Sequence, residues 1–299
     1  RRAGGAVHGL SARSVEAALM GVSVCTIVRN RRPHLQQLVE GLRRSVLQPE
    51  ELIVVDMSDE PVSLSRCPFH VCIDRFETAG LPLAAARNRA ARLATHDKLI
   101  FLDVDCIPLA SCIGRLVEVL TVEDALLCAD VRYLGPDDAR GAWEENDLLA
   151  RGRAHPVRSF PAHGIRDERN PGLFWSLAFA IRRARFDALG GFDEGFTGYG
   201  GEDTDFGFRA ADAGSRLLFV GGAIACHQHH DGYDPPLQHI ADIVRNARYF
   251  QRRWQRWPME GWLRAFADRG LIRWNDPQLD LLRLPTSREI DAARTQAWP

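Results

Sequence analysis

At 299 residues, 45% hydrophobic and 26% charged, the chain has the composition of an ordinary globular protein, larger than the usual domain of about 100 to 200 residues. A net charge of −1 and a pI near 6.9 lack the basic field of a nucleic-acid binder, so no nucleic-acid partner is expected. No apolar run approaches the roughly 18 residues that a membrane-spanning helix needs, and the N-terminus lacks a signal peptide's apolar core. With seven cysteines and no C-x-x-C pair, these features predict a cytosolic protein with reduced, structural thiols.

Residues 1–20 hold small residues and arginines around a weakly periodic stretch and are expected to form an N-terminal extension. Val22 to Val28 is a short β-rich run, followed from Pro33 by a helical pattern, proline being suited to a first helical turn. Leu52 to Val55 predicts a second strand ending at Asp56, and His70 to Ile73 a third. Gly80-Leu81-Pro82 then breaks the chain before an alanine-rich helix over Leu83 to Leu93, and Leu99 to Leu102 is the next strand. Strands alternating with helices imply an α/β fold: a doubly wound, mostly parallel, Rossmann-like sheet flanked by helices. Residues 133–171 lose periodicity, and a long irregular stretch in a compact domain is expected to act as a lid over a site. Phe174 to Ile181 resumes as a strand, a short helix runs to Leu189, a further helix spans Glu202 to Gly214, and Arg216 to Val220 follows as a strand. The tail from Ile240 to Ala267 is helical, rich in arginine and tryptophan, and suited to packing on the preceding domain, to docking on the inner face of a membrane or to holding an acidic ligand.

Open α/β sheets bind ligands at the carboxyl ends of their strands, and Arg29-Asn30, Asp56 and Asp103-Val104-Asp105 all fall there. Two carboxylates separated by one residue can face one hard cation, so Asp105 is expected to bind Mg²⁺ or Mn²⁺, with Asp103 on a ribose or a metal-bound water. His227, His229 and His230 follow an apolar run, and one of the first two is expected to complete the site. In Tyr199-Gly200-Gly201-Glu202-Asp203-Thr204-Asp205 the glycines admit a ligand close to the backbone, and Glu202 and Asp203 open a helix whose dipole favours ionised carboxylates. Such a carboxylate can take the proton of an attacking hydroxyl. Asp205 instead reads as half of an i,i+4 pair with Arg209. Trp175 offers a flat face to an acceptor, although an aromatic in a strand is more often core.

These stretches, with Leu52 to Asp56, Ala84 to Ala90, Phe101 to Asp105 and Phe186 to Arg209, resemble the family-two inverting glycosyltransferases of the GT-A fold. The Gly-Gly-Glu-Asp element is also similar to that of β-1,4-galactosyltransferases and polypeptide N-acetylgalactosaminyltransferases. The resemblance implies a GT-A domain over 21–232, with a nucleotide-binding half over 21–132 and an acceptor and catalytic half over 133–232. A helical extension over 233–299 would follow.

It also implies a nucleotide-sugar donor, UDP-linked by preference, and a glycan or glycoconjugate hydroxyl as acceptor. Ile27, Val28, Arg29 and Asp56 would hold the base, Arg87 the diphosphate, and Asp105 with a histidine would hold Mn²⁺ or Mg²⁺. Asp203, with Glu202 beside it, would be the catalytic base, and Tyr199, Gly200, Gly201 and Trp175 would face the acceptor. The chain departs from the pattern in two places, where Asp56-Met57 replaces the usual Asp-Asp and Arg29 the usual tyrosine. The Q-x-x-R-W motif of processive synthases is not evident, so single-sugar addition is expected. The alternatives are a GT-A-like sugar nucleotidyltransferase, a non-catalytic nucleotide-sugar-binding module, and a metal-free glycosidase with paired carboxylates.

Overall fold

The computed structural model describes residues 21–78 and 80–295, so the N-terminal extension expected over 1–20 lies outside the described residues. Four parallel strands form the first half of the sheet: β1 (Val22–Val28), β2 (Glu51–Asp56), β3 (His70–Arg75) and β4 (Lys98–Leu102), in the order β3-β2-β1-β4. The sheet continues from β4 through β9 (Ala178–Arg182), β6 (Leu126–Tyr133) and β10 (Leu217–His227) to β5 (Cys106–Pro108). β9 runs antiparallel to β4 and β6, β6 and β10 are parallel, and β5 is antiparallel to β10. The frame is thus mixed, with most strands pointing one way.

Alternation along β1 divides the core. Val22 and Val24 face a cluster with Leu35, Leu38 and Leu42 of helix α1 (Arg32–Arg44) and Leu116 and Leu120 of α3 (Cys112–Val122). Cys25 and Ile27 face the other side, against alanines of α2 (Leu83–Leu93) and the rings of Phe174, Phe179, Phe186, Phe192 and Phe206. Phe192 and Phe206 stack at 4.5 Å, and Phe101 and Phe179 at 4.6 Å. Helices thus cover both faces, as continuous apolar strands require.

Three expectations are corrected. α3 and β6 fill a region for which no element was predicted; α3 buries Cys112, Ile113, Leu116, Val117, Val119 and Leu120 at helical spacing, and β6 is buried along nearly its whole length. The strand expected to stop at Val220 continues to His227 through an irregularity between Val220 and Ile224, where Gly221 and Gly222 shift the register. Residues 133–171 are not wholly irregular. They contain α4 (Glu145–Arg151), β7 (Arg153–Ala154) paired with β6, and β8 (Ile165–Glu168) paired with β10.

Beyond β11 (Gly232–Tyr233), the tail comprises α7 (Ile240–Trp254), α8 (Glu260–Asp268), the hairpin β12–β13 (Ile272–Asn275, Gln278–Leu281), α9 (Ser287–Ala292) and β14 (Arg294–Thr295). Its own apolar cluster includes Ile243, Ala247, Leu263 and Phe266. The tail also packs on the preceding domain. Phe250 and Trp254 meet Phe208 of helix α5's successor, α6 (Glu202–Asp212), at 5.3 and 5.2 Å; α5 itself is Arg183–Ala188. The rings suited to a membrane surface are thus engaged within the protein: Trp257 donates to Asp276 at 3.0 Å and Trp254 to Asp205 at 2.9 Å. No helix among the described residues is long and apolar enough to cross a membrane.

Candidate active site

The acidic turn after β4 is fastened on two sides. Asp103 N–H donates to Leu177 O at 2.8 Å, and Gln228 N–H donates to Asp105 O at 2.7 Å. Because β5 pairs with the end of β10, Cys106 lies opposite His227, and this register carries the histidine to the aspartate. His227 Nε2 lies 3.4 Å from Asp105 Oδ1, and His230 Nε2 lies 3.5 Å from Oδ2. One ligand atom from each of the three residues lies within 4.8 Å of the others. His229 is not part of this group. Its carbonyl instead meets His34 Nε2 at 3.2 Å.

The electrostatics suit a cation. Burial opposes ionisation of Asp105, but His227 and Arg31 outweigh it and hold its carboxyl below the usual range. Burial lowers the pKa of both imidazoles, that of His230 to about 4 with Arg31 adding to the effect, so both are neutral at pH 7. With neutral histidines, Arg31, which ion-pairs with Asp105, is the positive charge that remains. Asp105 Oδ1 is buried and accepts no hydrogen bond. One carboxylate and two neutral imidazoles form a donor set that fits a transition-metal dication such as Mn²⁺ better than Mg²⁺.

Arg87 forms the bridge to the second acidic cluster. It is 5% exposed, donating to Glu202 at 2.9 Å and to Asp103 at 3.1 Å. Burial opposes its charge, but Asp103 and Glu202 raise its pKa above the ordinary value. The guanidinium expected at a diphosphate is therefore held between two carboxylates. Glu202 is likewise committed to Arg87 and buried, whereas Asp203 beside it is half-buried. Burial, then the charge of Glu202, pushes the Asp203 carboxyl up to about 7, and burial raises that of Asp103 to about 6. Two adjacent carboxylates thus have different environments: one is locked in an ion pair and the other poised near neutrality.

Gly200 and Gly201 have φ of +92° and +95°, a conformation unfavourable to other residues, and Gly201 caps α6. Tyr199 stacks on His239 at 4.4 Å and lies 6.1 Å from Trp262, both from the tail. Trp175 is half-buried, edge-on to His155 at 4.6 Å, with the Arg158 guanidinium 5.0 Å from its ring centre. Asp205 pairs with Arg209 at 2.7 Å, as its spacing predicts.

At the expected base pocket, Ile27 and Val28 are buried and Arg29 half-buried at the end of β1. Asp56 accepts from Ser58 N–H and Val62 N–H, both at 2.9 Å, and from Arg75 at 3.2 Å. Burial opposes its ionisation, but the bonds from Val62 and Ser58 prevail and hold its pKa below the usual value. Asp56 therefore shapes its own loop. Sequence reasoning passed over Arg31, which nothing in the spacing connects to Asp105, and gave His230 no metal role although it named that residue. The signal for His230 was its i+3 spacing from His227.

The sheet order, with an acidic turn directly after β4, is that of the GT-A fold. Residues 23–159 match the family model for glycosyl transferase family 2, and residues 161–231 match that for the N-terminal domain of galactosyltransferase. A family-two match is thus followed directly along the chain by a galactosyltransferase-type match, the two together spanning 23–231. Among curated relatives, it is 29% identical over 229 residues to validoxylamine A glucosyltransferase of Streptomyces hygroscopicus subsp. limoneus, covering 63% of this chain and 47% of the relative. Similar solved structures include GalNAc-T7 with UDP, GalNAc and Mn²⁺ (TM-score 0.52, 21% identity, 71% of this chain and 43% of that one). S. aureus TarS residues 1–349 are also similar (TM-score 0.55, 15% identity, 81% and 67%). The chain spans about half the length of the validoxylamine A glucosyltransferases it matches.

Proposed function

We propose that the protein is a metal-dependent, inverting glycosyltransferase that moves one sugar from a nucleotide-sugar donor, UDP-linked by preference, to a hydroxyl of a glycan or glycoconjugate. The observation that carries this reading is a single run of contacts, from His227 and His230 through the Asp103-Val104-Asp105 turn and Arg87 to Glu202, the sequence neighbour of Asp203. This run supports a reading in which a cation-ligand set and a proton acceptor share one site. The GalNAc-T7 structure, with UDP and Mn²⁺ on a similar fold, supports the choice of nucleotide and metal.

In this reading Asp105, His227 and His230 hold Mn²⁺, or Mg²⁺ less well. The ion supplies Lewis-acid stabilisation of charge on the departing nucleoside diphosphate. Asp203 accepts the proton of the acceptor hydroxyl as its oxygen bonds to the anomeric carbon and the bond to the diphosphate oxygen breaks. Attack opposite the leaving group inverts that centre. Arg87 holds Glu202 and Asp103 in register. We assign 21–132 to the donor half, 133–232 to the acceptor half and 233–299 to the extension. Tyr199, Gly200, Gly201 and Trp175 face the acceptor.

Thermal unfolding with UDP, GDP or TDP, each with and without Mn²⁺, tests the donor site. Ligand at a hundred times its Kd adds about 2.7 kcal/mol of apparent stability. A shift that needs nucleotide, metal and Asp105 together supports the reading. The same shift in Asp105→Ala refutes it.

A further inference from the structure

The Gly200-Gly201 turn is held from behind by a residue outside both matched segments. Asn246 of α7 is 1% exposed, and its amide nitrogen lies 3.1, 3.3 and 2.8 Å from the carbonyl oxygens of Thr197, Tyr199 and Gly200. Two N–H bonds are therefore shared among three acceptors of the segment that delivers Glu202 and Asp203. Asn246 Oδ1 is buried and accepts no hydrogen bond. A buried amide left half-satisfied costs stability relative to an apolar side chain of its size. What Asn246 contributes is thus sought in geometry.

Other contacts converge on the same segment. Tyr249 and Arg253 donate to Asp193 at 3.0 and 2.9 Å, and Trp254 donates to Asp205 at 2.9 Å, one turn into α6. A side chain on Gly198 would come within 2.2 Å of Asp242, and one on Gly200 within 3.0 Å of the Met259 sulfur, so the turn lies directly against the tail.

We propose that Asn246 is a positioning residue for sugar transfer: it fixes the Thr197–Gly200 carbonyls, and through them the direction in which Asp203 leaves the turn. The C-terminal extension is then part of the catalytic apparatus. This rests on the glycosyltransferase reading above. A misplacement of about 1 Å at a reacting group can cost about a hundredfold in rate.

The test uses the full chain with Asn246→Leu, which keeps the branched shape and removes the donors, and Asn246→Ala as a second variant in case the bulkier leucine does not fold. Once wild-type transfer is measured, each variant is assayed for kcat, donor and acceptor KM, melting temperature, and stabilisation by UDP with Mn²⁺. We expect kcat to fall by about tenfold or more. Donor KM and nucleotide stabilisation should remain close to wild type, while the melting temperature falls because the turn carbonyls lose their donor. A kcat equal to wild type in a folded variant overturns the inference and leaves the glycosyltransferase reading intact. A kcat loss accompanied by an equal loss of nucleotide stabilisation also overturns it, because the damage would then not be confined to the turn. Wild-type protein that transfers no sugar sinks the underlying reading instead.

Discussion

Asp203→Asn separates chemistry from donor binding, and the structure sets its size. Asparagine keeps the shape and the acceptor oxygen that receives Thr204 N–H at 2.7 Å, so the start of α6 is preserved. What is lost is the proton acceptor, whose general-base contribution is about 10²–10⁴-fold in kcat. Because burial and Glu202 raise the Asp203 pKa to about 7, the ionised fraction in wild type rises about tenfold between pH 6 and pH 8. Transfer should therefore climb with pH across that window and level off above it, while the variant's residual rate stays flat.

Stability should move the opposite way. An aspartate whose folded pKa is raised makes the native state bind more protons than the unfolded chain, so stability falls as pH rises from about 4 through 7. The neutral asparagine removes that penalty, and its melting temperature at pH 8 should equal or exceed wild type. The assays are initial-rate transfer from pH 5.5 to 8.5, calorimetry at pH 8, and UDP-Mn²⁺ binding. A variant that keeps more than about a tenth of wild-type kcat, or one that loses donor affinity in step with kcat, refutes the assignment of Asp203.

His230→Ala should weaken Mn²⁺-dependent UDP binding about tenfold or more, about 1.4 kcal/mol, whereas His229→Ala should leave it unchanged. Titration calorimetry distinguishes the two, and equal effects would dissolve the Asp105-His227-His230 cluster. Arg87→Met strands the buried Glu202 beside Asp103, and breaking a buried pair costs about 3–5 kcal/mol, so the melting temperature should drop by about 10 °C. A drop below about 3 °C would show that the bridge is dispensable. Asp56→Asn should lower stability near neutral pH while sparing UDP affinity. Its carboxyl is bonded to its own loop and held below the usual carboxylate range, and that contribution disappears as pH falls through its depressed pKa. A selective loss of UDP affinity would return Asp56 to the base pocket.

Much of this was legible in the chain. β1, β2, β4, α1 and α2 announced themselves through short apolar runs, a proline-led helix start and an alanine-rich stretch, because local burial and turn chemistry repeat with the element's own period. The two acidic clusters were legible for a related reason: one closes an apolar strand and the other opens a helix after glycines, where polar side chains emerge from the ends of elements. What the residue string could not decide was which side chains meet. The register of β5 against β10 selects His227 for Asp105, and the loop beyond selects His230 over His229. Arg87 joins Asp103 to Glu202 across 115 residues, and Asn246 holds the Gly200 turn from 46 residues downstream. Sequence order records period and composition; long-range pairing is a property of sheet register and helix docking, which exist only once the chain has folded.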